Sequence, residues 1–378
     1  MPERSRNECS QVIWSGTLLS LLGLALLAGC AASSGSRGDE RSAQLVWPLP
    51  PEVARVKFVG QIGKASDVGK SEKTALDALT QRLLGIRTRE AGLLLKPYGV
   101  HADGRGKVYV ADSATGRVLL FDTAARDVTV LGEDGPGRLG KAMGVVSGAD
   151  GKVYVADAST RRVVVFGAKG EFVTALGGKE VLAKPVGIAL DEARGRIYVA
   201  DSYGHQLVAF DLQGNVVFVL GKKNTPGKIA AGSHDNAWDR SSEEGEFRFP
   251  TGVATDRKGF IYVIDTMNFR VQIFSPEGKF VSAFGELGDA FGQFARPRGI
   301  AVDTEGHIYI TDAVFHNVQI FDPEGKLLLF FGNLGTREGE FLLPAGISID
   351  SSNRIYVVDQ YNHRIQIFQF LKQEQARG

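Results

Sequence analysis

The chain has 378 residues with 44 basic and 43 acidic side chains, so no strong global field draws it toward nucleic acid. Cys9 and Cys30 are its two cysteines, which excludes a disulfide-stapled scaffold and leaves packing to supply stability.

Residues 11–29 form an apolar run broken by small residues and preceded by Arg4 and Arg6. The run ends in Leu27-Ala28-Gly29-Cys30, followed by Ala-Ala-Ser-Ser-Gly-Ser. This resembles a bacterial lipoprotein signal peptide (residues 1–29) with its lipobox, and the resemblance implies that Cys30 becomes the acylated first residue. A plain transmembrane anchor is the other reading, but the stretch is barely long enough to span a bilayer. On the lipoprotein reading Cys9 leaves with the leader and Cys30 is blocked by lipid, so neither can bridge or hold a metal. Alanines at 31 and 32 resemble outer-membrane sorting in a Gram-negative cell. The expected location is the cell envelope, lipid-anchored and facing the periplasm or the cell surface. Residues 30–52, rich in Ser, Gly and Pro, read as the lipidated cysteine and a flexible tether.

Residues 53–63 contain Phe58-Val-Gly-Gln-Ile-Gly63, which matches Phe172-Val-Thr-Ala-Leu-Gly177 and Phe280-Val-Ser-Ala-Phe-Gly285 further along. Within residues 64–96, Ser71 to Leu84 reads as a short helix. Ser71 can cap it, Leu76, Leu79 and Leu83 share one stripe, and Gly85 ends it.

From residue 97 to 370 one pattern repeats six times. Its fullest copy runs from Pro297 to Gly332, and the Tyr-x-x-Asp strands close at Asp112, Asp157, Asp201, Asp265, Asp312 and Asp359. Their spacings of 45, 44, 64, 47 and 47 match the length of one propeller blade. Each copy holds four short apolar runs separated by turn chemistry, such as Asp-Thr-Glu-Gly and Asp-Pro-Glu-Gly in the fifth. Gly99, Gly144, Gly187, Gly252, Gly299 and Gly346 recur at the innermost strand, where a missing Cβ permits close backbone approach. The sixth copy lacks a fourth strand, so residues 53–63 are expected to supply it and close the ring. The predicted fold is an all-β, six-bladed propeller of four-stranded antiparallel blades over residues 53–370, with one short helix between blades six and one and a charged tail at 371–378.

Pro-x-Gly-Val/Ile-Ala, Gly-x-Ile-Tyr-Val-x-Asp, Asn362-His-Arg-Ile-Gln-Ile-Phe368 and Gly339-Glu-Phe-x-x-Pro344 together resemble the NHL-repeat β-propeller family. The likeness covers about residues 97–368. It implies the fold strongly and function weakly, since that family includes protein-binding, RNA-binding and enzymatic members.

Chain direction places the loops after the second strands and the connections between blades on one side, here called face one. Two connections there are long, Gly63 to Pro97 and Gly221 to Pro250, and they lie opposite each other in a six-fold ring. The second contains His234 and Trp238, which either anchor a ligand or tuck onto the blade below. Lys96, Lys141, Lys184, Arg296 and Arg298 head their repeats. They form either a cationic rim for an anionic ligand or solvated lysines compensated by Glu243, Glu244, Glu246 and Asp289. Tyr98, Thr251 and Arg298, each following a repeat proline, are expected at the axial mouth.

His205, His316 and His363 each fall four positions after a repeat aspartate, and imidazole is a common metal ligand. Peptidylglycine amidating lyases are related propellers that hold a metal with histidines from several blades. The resemblance therefore admits a metal-dependent lyase or hydrolase using zinc or calcium in the channel. The same slot holds Gly116, Arg161 and Phe269 in other repeats, which favours turn residues instead. Arg117, Arg162, Arg270 and Arg364 are expected to pair with Asp112, Asp157, Asp265 and Asp359. The sequence thus points to a membrane-anchored, non-catalytic scaffold without a cofactor. Its expected partner is an envelope protein, peptide or glycan bound by face one of a monomeric disc.

Overall fold

The computed structural model describes residues 45–49, 51–69, 92–221 and 243–372. These build a ring of six antiparallel sheets, the first formed by Pro97–Ala102, Lys107–Asp112, Arg117–Asp122 and Asp127–Leu131. In every blade the second strand is buried along its apolar length, as in Val153–Asp157 and Ile308–Asp312, because both faces press on neighbouring blades. The fourth strand alternates between exposed and half-buried, as in Leu327–Phe331, because it forms the rim.

The apolar core is correspondingly divided. Six clusters fill the six seams between adjacent blades, each drawing residues from both sides. No blade can bury its own faces, so the ring must close to be stable.

Closure occurs where the sequence pattern places it. Val56–Ile62 pairs antiparallel with Arg364–Phe370, from Val56 opposite Phe370 to Ile62 opposite Ile365. Val56 enters the core between blades five and six, and Ile62 the core between blades six and one. The closing strand therefore supports two seams at once. One feature was not foreseen: Val46–Trp47, inside the stretch read as tether, adds a fifth strand outside it. Trp47 packs on Phe331 and Phe368, each with ring centroids at 5.7 Å, so the folded body begins before residue 53.

The repeat glycines form a closed cycle of backbone contacts around the axis. A methyl group on Gly144 would lie 2.6 Å from the Val186 carbonyl oxygen, on Gly187 2.6 Å from that of Thr251, and on Gly252 2.8 Å from that of Arg298. Gly299 meets Ala345, Gly346 meets Tyr98 at 2.5 Å, and Gly99 meets Met143, which returns to the start. Blades approach this closely only because that side chain is absent.

Candidate binding site at the mouth of the channel

The loops that frame face one are fixed by the repeat aspartates, all fully buried. Asp312 Oδ2 accepts the amides of Ala295 and Arg296 at 2.8 and 2.9 Å, and its Oδ1 accepts those of Val314 and Phe315 at 2.9 and 3.1 Å. Asp112 and Asp157 do the same in their blades. One carboxylate thus ties the connection entering a blade to the loop leaving its second strand. The expected arginine pairing holds for Arg270 with Asp265 at 3.0 Å and Arg364 with Asp359 at 2.8 Å. It fails for Arg117, which pairs with Glu133 at 3.0 Å, and for Arg162, which bonds Thr160 and the carbonyls of Pro136 and Arg138. In those two blades the aspartate oxygens are already taken by amides, and the guanidinium follows the local connection instead.

The three histidines are turn residues at blade seams. All adopt positive φ (51° at His205, 55° at His316, 57° at His363), as do Gly116, Arg161 and Phe269 in the same slot. His205 Nδ1 accepts the Phe249 amide at 3.2 Å, and His316 Nδ1 accepts the Leu343 amide at 3.1 Å. His363 Nδ1 meets the Leu95 carbonyl oxygen at 2.5 Å. Each nitrogen engages the backbone of the next blade, so the set read as metal ligands is spread over three separate seams. Among the described residues, no three His, Cys, Asp or Glu side chains gather as a metal site.

The mouth is different. A cavity of about 400 Å³ is lined by side chains from five blades, among them Tyr98, Lys184, Thr251, Arg296 and Arg298, all singled out from sequence. Tyr203, Thr266 and Met267 join them. These were missed, although they lie within two residues after Asp201 and Asp265, positions that could have marked them. Lys96 is not part of the wall; its Nζ lies 5.3 Å from the Tyr361 ring centroid. Cys30, His234, Trp238 and the helix expected at 71–84 lie outside the described residues, as does most of each long connection. A methyl group on Gly63 or Gly221, where those connections depart, would lie against the carbonyl oxygen of His363 or His205 respectively, just as one on Gly332 would against that of His316. Both departures are therefore on face one.

Arg298 is half-buried and reaches across to blade six, where its Nη1 donates to Gln360 Oε1 at 3.1 Å. Gln360 is buried and donates in turn to the Pro97 carbonyl at 3.2 Å. Burial lowers the Arg298 pKa, while burial raises that of the Tyr98 phenol against the opposing pull of Arg298 and Arg296. Lys184 Nζ sits 4.0 Å from the Tyr203 ring centroid, and Tyr203 is itself exposed. The Thr251 and Thr266 hydroxyls bond each other at 2.6 Å and the carbonyls of Arg298 and Pro297 at 3.1 Å. A second, smaller cavity of about 60 Å³ on the axis is walled by the glycine ring with Val and Ile side chains.

The NHL repeat model matches residues 182–210, 247–274, 294–321 and 341–368, which are blades three to six. Blades one and two have the same strands, although Ala142 replaces the leading proline in the second. A 45-residue stretch is 51% identical to Protein brain tumor of Drosophila melanogaster, covering 12% of this chain and 4% of that protein. Among solved structures, a protein of unknown function from Bacteroides thetaiotaomicron aligns over 83% of this chain and 75% of its own, with 20% identity and a TM-score of 0.59. A streptogramin B lyase aligns over 74% and 94%, with 12% identity and a TM-score of 0.53. A virginiamycin B lyase from Staphylococcus aureus with quinupristin gives 74% and 98%, 13% identity and 0.51. At these identities the likeness is one of fold. The repeat matches and the closed ring agree: this chain carries NHL repeats at four positions within a six-bladed β-propeller.

Proposed function

We propose that this protein is a non-catalytic binding or scaffold lipoprotein, anchored in the cell envelope through Cys30, that holds a protein, peptide or glycan on face one. The observation that carries the reading is the mouth cavity, where side chains suited to recognition converge from five blades. Cations, aromatic rings and methionines line it, in a volume typical of ligand sites. Both long connections leave from the same side, and loops on a rigid scaffold are the usual carriers of binding. The lipid anchor rests on the sequence Leu27-Ala28-Gly29-Cys30.

The test is affinity capture from envelope extract with the full chain, with a variant lacking residues 222–242, and with face-one substitutions. The deletion stops at 242 because Glu243 and Glu246 carbonyls accept from Arg270, and the Arg248 amide caps Asp265. A partner retained by the wild type and lost from the deletion supports the proposal; identical recovery removes the loop from it. Membrane fractionation of Cys30→Ala tests the anchor, which requires release of the protein into the soluble fraction.

A further inference from the structure

Lys184, Arg296 and Arg298 all line the mouth cavity, and among the described residues no aspartate or glutamate lines it with them. The nearest repeat acids are consumed elsewhere: Asp201 and Asp312 are fully buried and bonded to backbone amides. Neither Arg296, Arg298 nor Lys184 forms an ion pair among the described residues. Two of the neutral polar groups are also committed. Both threonine hydroxyls are tied to each other and to backbone carbonyls, so they position the wall. The Tyr98 and Tyr203 phenols and the Ser202 hydroxyl also line the cavity, and its charged groups are all cationic.

Arg298 is the built element of this cavity. Its guanidinium is held through one nitrogen by a buried glutamine that is itself anchored to blade one, so it loses little freedom on binding. A half-buried guanidinium with only an amide partner is poorly solvated, and an incoming anion would restore its lost stabilisation. The axial cavity of about 60 Å³ is too small for a ligand of this kind, which leaves the mouth to hold it.

Building on the binding role proposed above, we infer that this cavity is an oxyanion site: Arg298, flanked by Arg296 and Lys184, takes the carboxylate or phosphate of an amphiphilic ligand whose apolar part lies on Met143, Val186 and Met267. Arginine presents paired donors that match either oxyanion, and lysine adds charge without fixed geometry. The apolar part distinguishes the site from a surface that collects inorganic ions.

Titration calorimetry of the full chain in detergent at low salt would use three probes: N-acetylphenylalanine, its amide, and phenyl phosphate. The acid or the phosphate is expected to bind at least tenfold more tightly than the amide, and the better of the two names the source of the anion. Arg298→Gln is expected to weaken that probe tenfold or more, and Lys184→Gln by a few-fold. Raising the salt to 0.5 M is expected to weaken it in every form that binds. Lys184 stands at the cavity edge, so its variant keeps the test decisive if Arg298→Gln fails to fold. Affinity for both the acid and the phosphate no greater than for the amide overturns the proposal, as does unchanged affinity in both variants. If Arg298→Gln loses the probe yet still captures an envelope partner, the anion site stands and the partner binds elsewhere on face one.

Discussion

Gly187 and Gly60 form a matched pair for testing what holds the ring together. A methyl group on Gly187 would lie 2.6 Å from the Thr251 carbonyl oxygen, 3.1 Å from Gly252 Cα and 3.2 Å from the Val253 amide nitrogen. All three are backbone atoms of blade four, so no side chain can swing aside. Ordinary contact begins at 3.4 Å, and Gly187→Ala must therefore push the two innermost strands apart by roughly 0.8 Å. Gly60, in the closing strand, would place its methyl in open space. Neither residue has positive φ, so backbone strain does not enter the comparison. Overpacking of this kind costs about 1–3 kcal/mol. With about 2–4 °C of Tm per kcal/mol in domains of a few hundred residues, Gly187→Ala should melt several degrees below wild type. Gly60→Ala should be neutral or stabilised by up to about 1 kcal/mol through a less free unfolded chain. Scanning calorimetry on both variants decides it. Equal melting temperatures would refute the argument that contact between neighbouring backbones, rather than glycine content, sets the bore of the channel.

Three further perturbations have defined outcomes. Removing everything before residue 64 strips Val56 and Ile62 from two cores and bares the edge of Arg364–Phe370; chromatography and circular dichroism should find aggregated or unfolded chain, and a stable monomer would contradict closure. Asp312→Asn turns one acceptor oxygen into a donor facing buried amides, at a cost of about 1–3 kcal/mol in denaturant unfolding; an unchanged midpoint would show that the carboxylate is not the staple. Burial holds the His101 pKa down at about 4, so the unfolded chain binds its proton first as pH falls. Stability from this group is complete above pH 6.5 and declines from there toward pH 4, and His101→Phe should flatten that part of a Tm-against-pH curve.

The repeat made the architecture legible because each blade solves the same burial problem with the same residues. The closing strand could be found from Phe58-Val-Gly-Gln-Ile-Gly63, since a fourth strand looks alike wherever it sits in the chain. Val46–Trp47 could not, because two residues within a Pro- and Ser-rich stretch carry no period. Tyr98, Thr251 and Arg298 were legible as mouth residues because proline fixes their register on the innermost strands. The histidines were harder. Their four-residue offset predicts both a turn and a ligand, and only the positions of Phe249, Leu343 and Leu95 in three dimensions separate the two. The aspartate role was half-read for a similar reason: amides are invisible in a sequence, whereas arginines are conspicuous.

The outermost strand of blade six has a mechanical consequence. A pull on residue 45 is borne first by Val46–Trp47 and the indole wedged on Phe331 and Phe368, and reaches the closing strand only after that seal has peeled. Since Arg364–Phe370 is the neighbour of Val56–Ile62, both ends of the propeller sequence load a single sheet. Blade five shares the load through Phe331, against which the indole is packed.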